Sequence, residues 1–204
     1  IPYNTAHIPI KHPGGNYMIS REEALNLLKT YVKDHKIIKH CLAVEAIMRA
    51  VAKELNEDPE LWGLIGLLHD IDYDITGRDP RLHGLKTLEI LKGKLPQVAL
   101  EAIALHNEHN GFKPTIKEAR RISYALRASD HLSGLIIAVA LVMPHKKLAE
   151  VKVKSVIKKF KSKDFARSID RDRIKEIEKL GITLEKFIEI GLKALQEIAD
   201  ELGL

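Results

Sequence analysis

Leu61-Trp62-Gly63-Leu64-Ile65-Gly66-Leu67-Leu68-His69-Asp70 is the stretch that decides the reading of this chain. Its apolar run follows Asp58-Pro59, an N-cap residue and a first-turn proline, and predicts a buried helix. Gly63 and Gly66 read as positions of close helix packing rather than as a phosphate cradle. The run ends in an imidazole beside a carboxylate, which delivers two metal-ligand types at one point.

The neighbours of that run are helical too. Ser20 with Glu23 forms a capping-box pattern, starting a helix that runs to about Val32. The next helix spans about Asp34 to Leu55. In it Ile37, Cys41, Val44, Ile47, Met48 and Val51 recur at three- and four-residue spacing, and His40 borders this buried face. Beyond the doublet a polar loop covers Asp72 to Asp79. A helix from about Pro80 to Gly93 carries His83 in its first turn. Pro96 opens another, holding His106 and His109 and ending at Asn110-Gly111. Thr115 with Glu118 suggests a capping box for the stretch that leads to Asp130 and finishes before Pro144. Asp170 and Thr183 read as N-caps of the last helices, separated by Gly181. No segment alternates as a strand does, so the expected fold class is all-α.

His40, His69-Asp70, His83, His106 and Asp130 thus fall on predicted helices or helix ends. A lone His-Asp dipeptide is weak evidence, but the whole set is much stronger. Nitrogen and oxygen donors of this kind suit a hard or borderline divalent cation and need no cysteine.

In this constellation the chain resembles the HD superfamily of metal-dependent phosphohydrolases, named for the doublet. Its helical core takes a His from one helix, the doublet from the next and an Asp from a later one. Those positions match His40 in His40-Cys41-Leu42-Ala43-Val44-Glu45, then His69 and Asp70, and Asp130 in Ala128-Ser129-Asp130. Two-metal branches add histidines that match His83 in Leu82-His83-Gly84 and His106 in Leu105-His106-Asn107. The six-ligand order is similar to that of the bacterial branch that splits diadenosine tetraphosphate. Through Leu141-Val142-Met143-Pro144-His145-Lys146-Lys147-Leu148 the chain is closer to a group of uncharacterised HD hydrolases, whose substrate the resemblance does not supply.

The resemblance implies an HD-domain helical bundle with additional C-terminal helices. Residues 1–19 are an irregular arm, 20–145 the metal-binding core, and 146–204 a basic helical extension packed on the same domain. It also implies two divalent ions (iron, manganese, cobalt or nickel), with Asp70 bridging. His40, His69 and Asp130 belong to one ion and His83 and His106 to the other. Two adjacent ions lower the pKa of a bridging water and polarise phosphoryl oxygens, so a metal-activated hydroxide can hydrolyse a phosphoester without a protein nucleophile. Asp72 and Asp74 are candidates for a leaving-group acid at the rim, although capping the loop is the commoner use. Several HD branches continue the doublet with Gly and a phosphate-contacting Lys, whereas this chain reads Ile71-Asp72-Tyr73-Asp74. The phosphate contacts are therefore sought at Arg78, Arg81 and Lys86 around His83, and at Lys146 and Lys147.

Composition limits the alternatives. A length of 204 residues fits one domain, and 45% hydrophobic with 30% charged residues is ordinary for a soluble globular chain. One cysteine, Cys41, excludes an internal disulfide and a thiolate cluster, and a reducing cytoplasm is the simplest setting. No signal sequence and no apolar run of about 18 residues is present, so no membrane partner is expected. Net charge is +5, concentrated between Lys146 and Lys175. That segment would draw in anionic substrates, or is a solvated helix face. Its aromatics, Phe160 and Phe165, are too sparse for a base-stacking platform, which argues against nucleic acid as partner. The expected partner is a small phosphorylated substrate, a nucleotide by resemblance. The rival from another class is a metal-containing nucleotide-binding or sensor module without turnover. Oligomeric state is open, a homodimer included.

Overall fold

A computed structural model describes residues 10–11 and 17–204. The described part of the N-terminal arm includes a two-residue antiparallel ladder, β1 (Ile10–Lys11) with β2 (Tyr17–Met18). Everything beyond is helix, turn and loop. Helix α1 (Arg21–Tyr31) starts at Ser20, whose hydroxyl accepts from the Glu23 N–H. Helix α2 (His35–Glu54) is capped by the Asp34 carboxylate, and α3 (Pro59–Leu68) by that of Asp58, with Pro59 in its first turn. Such caps satisfy amide groups that the first helical turn leaves without partners.

Helix α3 is the apolar run of the sequence, and Trp62 through Leu68 are all buried. It packs hard against α2. A Cβ on Gly66 would lie 2.9 Å from the Val44 carbonyl and 3.0 Å from the Glu45 backbone, so a side chain there would push the helices apart. This close approach sets His40 of α2 beside His69 at the end of α3.

Two helices differ from their expected limits. The helix expected from Pro80 is only α4 (Leu85–Ile90), because Gly84 takes a left-handed φ of 94° and separates it from His83. The one expected to hold His106 and His109 is α5 (Gln97–Leu105). His106 is its C-cap, and His109 lies in a separate 3-10 turn, Glu108–Asn110.

Helix α6 (Lys117–Leu141) runs unbroken through Asp130 and Gly134. The capping box expected at Thr115 does not form. Thr115 instead donates through both its N–H and its hydroxyl to Glu101, a buried carboxylate that also accepts from the Ile116 N–H. One acid on α5 thereby ties down the entry to α6.

Helices α7 (Val153–Lys161), α8 (Arg171–Lys175), α9 (Leu184–Glu197) and α10 (Ala199–Leu202) follow. Helix α9 packs on α2 and α6, and α7 on α6 and α9. Asp170 and Thr183 cap α8 and α9 as expected. Val156, Phe160, Ile174, Phe187, Ile188, Leu192 and Leu195 join one continuous apolar core with the residues of α2, α3, α5 and α6. Among the described residues no helix is long and apolar enough to cross a membrane.

Candidate metal centre

Four elements converge on one point. His40 comes from the second turn of α2, His69 and Asp70 from the end of α3, His106 from the end of α5 and Asp130 from the middle of α6. His83 stands in the turns before α4.

His69 and His106 are placed by the same local device. Each is a C-cap in helical conformation, and each ring donates its Nδ1–H to the carbonyl three residues earlier, Gly66 and Ile103 respectively. A carbonyl can only accept, so the proton sits on Nδ1 and the Nε2 lone pair points away from the helix, into the cluster. His83 is held differently: its Nδ1–H donates to the Asp72 carboxylate at 2.7 Å. Fixing one ring nitrogen so that the other can ligate is the usual arrangement behind metal-binding histidines.

Asp70 sits between two sets of donors. Its Oδ2 lies 3.3 Å from His69 Nε2 and 3.6 Å from His40 Nε2. Its Oδ1 lies 3.1 Å from His83 Nε2 and 3.7 Å from His106 Nε2. Asp130 Oδ1 completes the first set, 2.8 Å from His40 Nε2 and 3.9 Å from His69 Nε2. In the second set the Nε2 atoms of His83 and His106 face one another at 3.1 Å. Two donor triads result, His40 with His69 and Asp130, and Asp70 with His83 and His106.

His69 Nε2 is buried and has no hydrogen-bond partner among the described residues. Leaving a buried polar nitrogen unpaired is costly. A cation among these donors removes that cost, so the residues fit a metal ion.

The charges agree. Burial favours the neutral form of Asp70, yet His69, His106, His83 and His40 around it hold its pKa well below the usual carboxylate range. Burial acts on Asp130 in the same sense, and His40 and His69 likewise keep its pKa low. On His40, burial opposes a proton, but the hydrogen bond from its ring to Asp130 and the charges of Asp130 and Asp70 raise its pKa to about 9. His83 is raised to about 9 against the same opposition by Asp70 and Asp72. His69 is lowered, by burial first. In the metal-free protein, protons on histidines therefore balance the two ionised acids, and a cation arriving would displace them. Cys41 lies near His69 and Asp70, but burial pushes its thiol far up, so it stays protonated and is a poor ligand.

The six expected metal ligands are thus brought together. Other expected site residues are not. Asp72 is not at a rim: it is fully buried, with one oxygen on His83 and the other accepting from the Gly84 and Thr87 N–H groups. With no route to solvent and its oxygens engaged, it positions His83 and cannot protonate a leaving group. Asp74 faces Arg78 and does not line the cavity over the cluster. Arg81 pairs with Asp79 and Lys86 with Glu89, both out on the surface. Arg78 lies over the ring of Tyr73, 5.1 Å from its centroid, and Tyr73 packs edge-on against His83.

Lys146 and Lys147 do not line the cavity over the cluster. About 16 Å of helix separates Asp130 from Leu141 at the end of α6. Beyond it, Leu148 donates its N–H to the Leu204 carbonyl and accepts from Gln196, which ties the segment to the C-terminus. Part of the basic stretch is structural as well. The Arg171 guanidinium donates to six backbone carbonyls, those of Lys159, Phe160, Ser162, Phe165, Ala166 and Ile169.

The cavity over the cluster measures about 460 Å³ and is lined by His40, Asp70, His83, His106 and Asp130 together with Lys36, Ile37, Tyr73 and Asn107. The last four were missed in the sequence. A signal existed for Lys36, which precedes His40 by four residues on a helix and so shares its face. Asn107 has no free group to offer. Its amide donates to the Pro80 and His83 carbonyls and its oxygen accepts from the His109 N–H, while Asn110 donates to the same His83 carbonyl. These two asparagines stitch the His83 turn to the His106 turn.

An HD domain family model matches residues 37–140, just over half of the chain, and the match includes all six clustered residues. The chain belongs to the HD domain family, whose members are in general metal-dependent hydrolases. Comparison with curated proteins and with solved structures returned no match.

Proposed function

We propose that this chain hydrolyses phosphate esters or anhydrides of a small metabolite, a nucleotide first among them, at a centre of two divalent ions. The observation that carries this reading is Asp70, whose Oδ2 faces His40 and His69 and whose Oδ1 faces His83 and His106, as a bridging carboxylate must. His40, His69 and Asp130 would hold one ion, and His83 and His106 the other. Iron, manganese, cobalt and nickel all suit such donors. When bound, the pair supplies Lewis acidity toward a phosphoryl group and a water of lowered pKa.

The surrounding residues give the rest of the reaction its shape. Lys36 is exposed, its ammonium makes no hydrogen bond or ion pair among the described residues, and it is the one lysine or arginine on the cavity wall. It is placed to attract and orient a phosphoryl anion. Ile37 and Tyr73 add an apolar surface beside the cluster for the remainder of the substrate. Arg78, resting on Tyr73, stands at the edge of that surface. Asp72 keeps the His83 ring in place and takes no part in proton transfer to substrate.

The test is a panel of nucleotides, sugar phosphates and a generic phosphoester, presented to metal-loaded protein, with release of phosphate or nucleoside measured. Turnover that disappears on chelation and returns with metal is the expected result. Tight nucleotide binding with two ions present and no turnover would replace this reading with a sensor or binding module. Metal-independent, salt-sensitive binding of RNA would replace both.

A further inference from the structure

A second cluster of charged side chains lies beside the metal centre, and its members come from within the family match and from the chain beyond it. Arg127 of α6 is buried, and its Nε and Nη2 donate to the two Glu176 oxygens at 2.9 and 3.1 Å. Its Nη1 donates to the Leu105 carbonyl and to Glu108, each at 3.3 Å. Arg173 closes the ring, donating to Glu176 at 2.5 Å and pairing with Glu108. Two guanidinium groups and two carboxylates thus balance in charge. Such a pairing holds a defined geometry strongly, because Arg127 and Glu176 are buried and loss of either leaves the other short of a partner.

What the ring grips is the chain immediately around His106. Leu105 precedes that residue and Glu108 follows two positions later, so both flanks are anchored to Arg127. The same arginine stands one turn before Asp130 on α6. Arg173 and Glu176, the outer members, lie beyond residue 140 and so outside the matched HD region.

We propose that the C-terminal segment is a working part of the metal centre: Arg173 and Glu176 are positioning residues that, through Arg127 and Glu108, keep the His106 turn aligned with His83. This rests on the two-ion reading above. The segment does so without touching any ligand, by fixing the backbone from which the His106 ring projects. His40 and His69, carried by α2 and α3, have no such dependence.

Glu176→Gln tests this in the whole 204-residue chain, with Arg173→Met as a second variant whose partly exposed side chain is the gentler change. Two quantities are measured well below the melting temperature. One is amide hydrogen exchange of the metal-free protein, which should speed up at residues 105–110 and stay unchanged in α2 and α3. The other is metal per chain against a graded chelator, where retention of one of the two ions should weaken by about tenfold, in the range found for outer partners of ligands. A merely stabilising network would lower the melting temperature and move neither quantity. Wild-type protein with two ions, matched by variants that keep both equally well and exchange as slowly at 105–110, overturns this proposal alone. Wild-type protein that binds a single ion overturns the two-ion reading, and the proposal with it.

Discussion

His40 and Asp130 project from the interiors of α2 and α6, helices of 20 and 25 residues whose apolar faces are buried in the core. His83 stands in no helix. It is held by the Asp72 carboxylate on its ring and by two asparagines on its carbonyl. His106 sits at a helix end whose next residues are gripped by Arg127. His69 apart, which is a helix C-cap as His106 is, the first half of the cluster therefore inherits its geometry from helix packing, and the other from a set of polar contacts. Packing is shared among many residues, whereas each polar contact depends on two atoms. The second half should therefore be the easier to lose, and to lose without disturbing the first.

Asp70 belongs to both halves, so its removal should have the largest effect. Asp70→Ala is expected to take metal content from about two ions per chain to near zero and to abolish phosphate release. Helicity should survive, because the core is built from apolar residues that make no contact with the ions. Elemental analysis alongside circular dichroism checks both parts, and retention of both ions by this variant would sink the bridging assignment.

His83→Ala divides the halves. Metal content should fall from about two ions to about one, the remaining ion being held by His40, His69 and Asp130. His40→Ala should cost the other ion. Loss of both ions from His83→Ala would mean that the triads are a single site and that the contrast between them is false.

Asp72→Asn should act more mildly in the same direction. An amide can still accept from Gly84 or Thr87, but it no longer offers a carboxylate to the His83 ring. Retention of the second ion should weaken by about 10- to 100-fold, as for other carboxylates behind ligating histidines. The first ion serves as an internal control, and equal weakening of both would point to general unfolding.

The sequence made the first half of the cluster legible because its signals are periodic. The apolar run of α3, the three- and four-residue spacing of α2, its start near Asp34 and the cap at Asp58 are local properties, and all appear in the structure. The His-Asp doublet and its partners could be gathered from order along the chain. What could not be read was which polar residue answers which. Thr115 looked like a cap because Glu118 follows it, but Glu101 from another helix claims it. Asp72 looked solvent-exposed because it opens a polar loop, yet that loop folds inward around it. The sequence predicts His83 inside a helix, because nothing local shows that Gly84 turns left-handed to let Asp72 reach its amide. Such pairings depend on distant chain and leave no periodic trace.

The same failure governs the lysines, and they give the smallest and sharpest contrast. Charge density along the sequence favours Lys146 and Lys147 as the phosphate contacts, since the basic segment begins there. Position in the fold favours Lys36, one turn before His40 on the wall of the cavity. Lys36→Ala should raise KM several-fold with little change in kcat, the pattern of lost uniform binding. That rise should shrink as salt is added, because an exposed charge acts on a mobile anion through a screened field. Lys146→Ala with Lys147→Ala should leave KM and kcat within about a factor of two, since neither side chain lines the cavity over the cluster. Steady-state kinetics at two ionic strengths decides between them. If the double variant raises KM at low salt and Lys36→Ala does not, substrate is gathered by the basic face as a whole, and the cavity wall plays no part in capture.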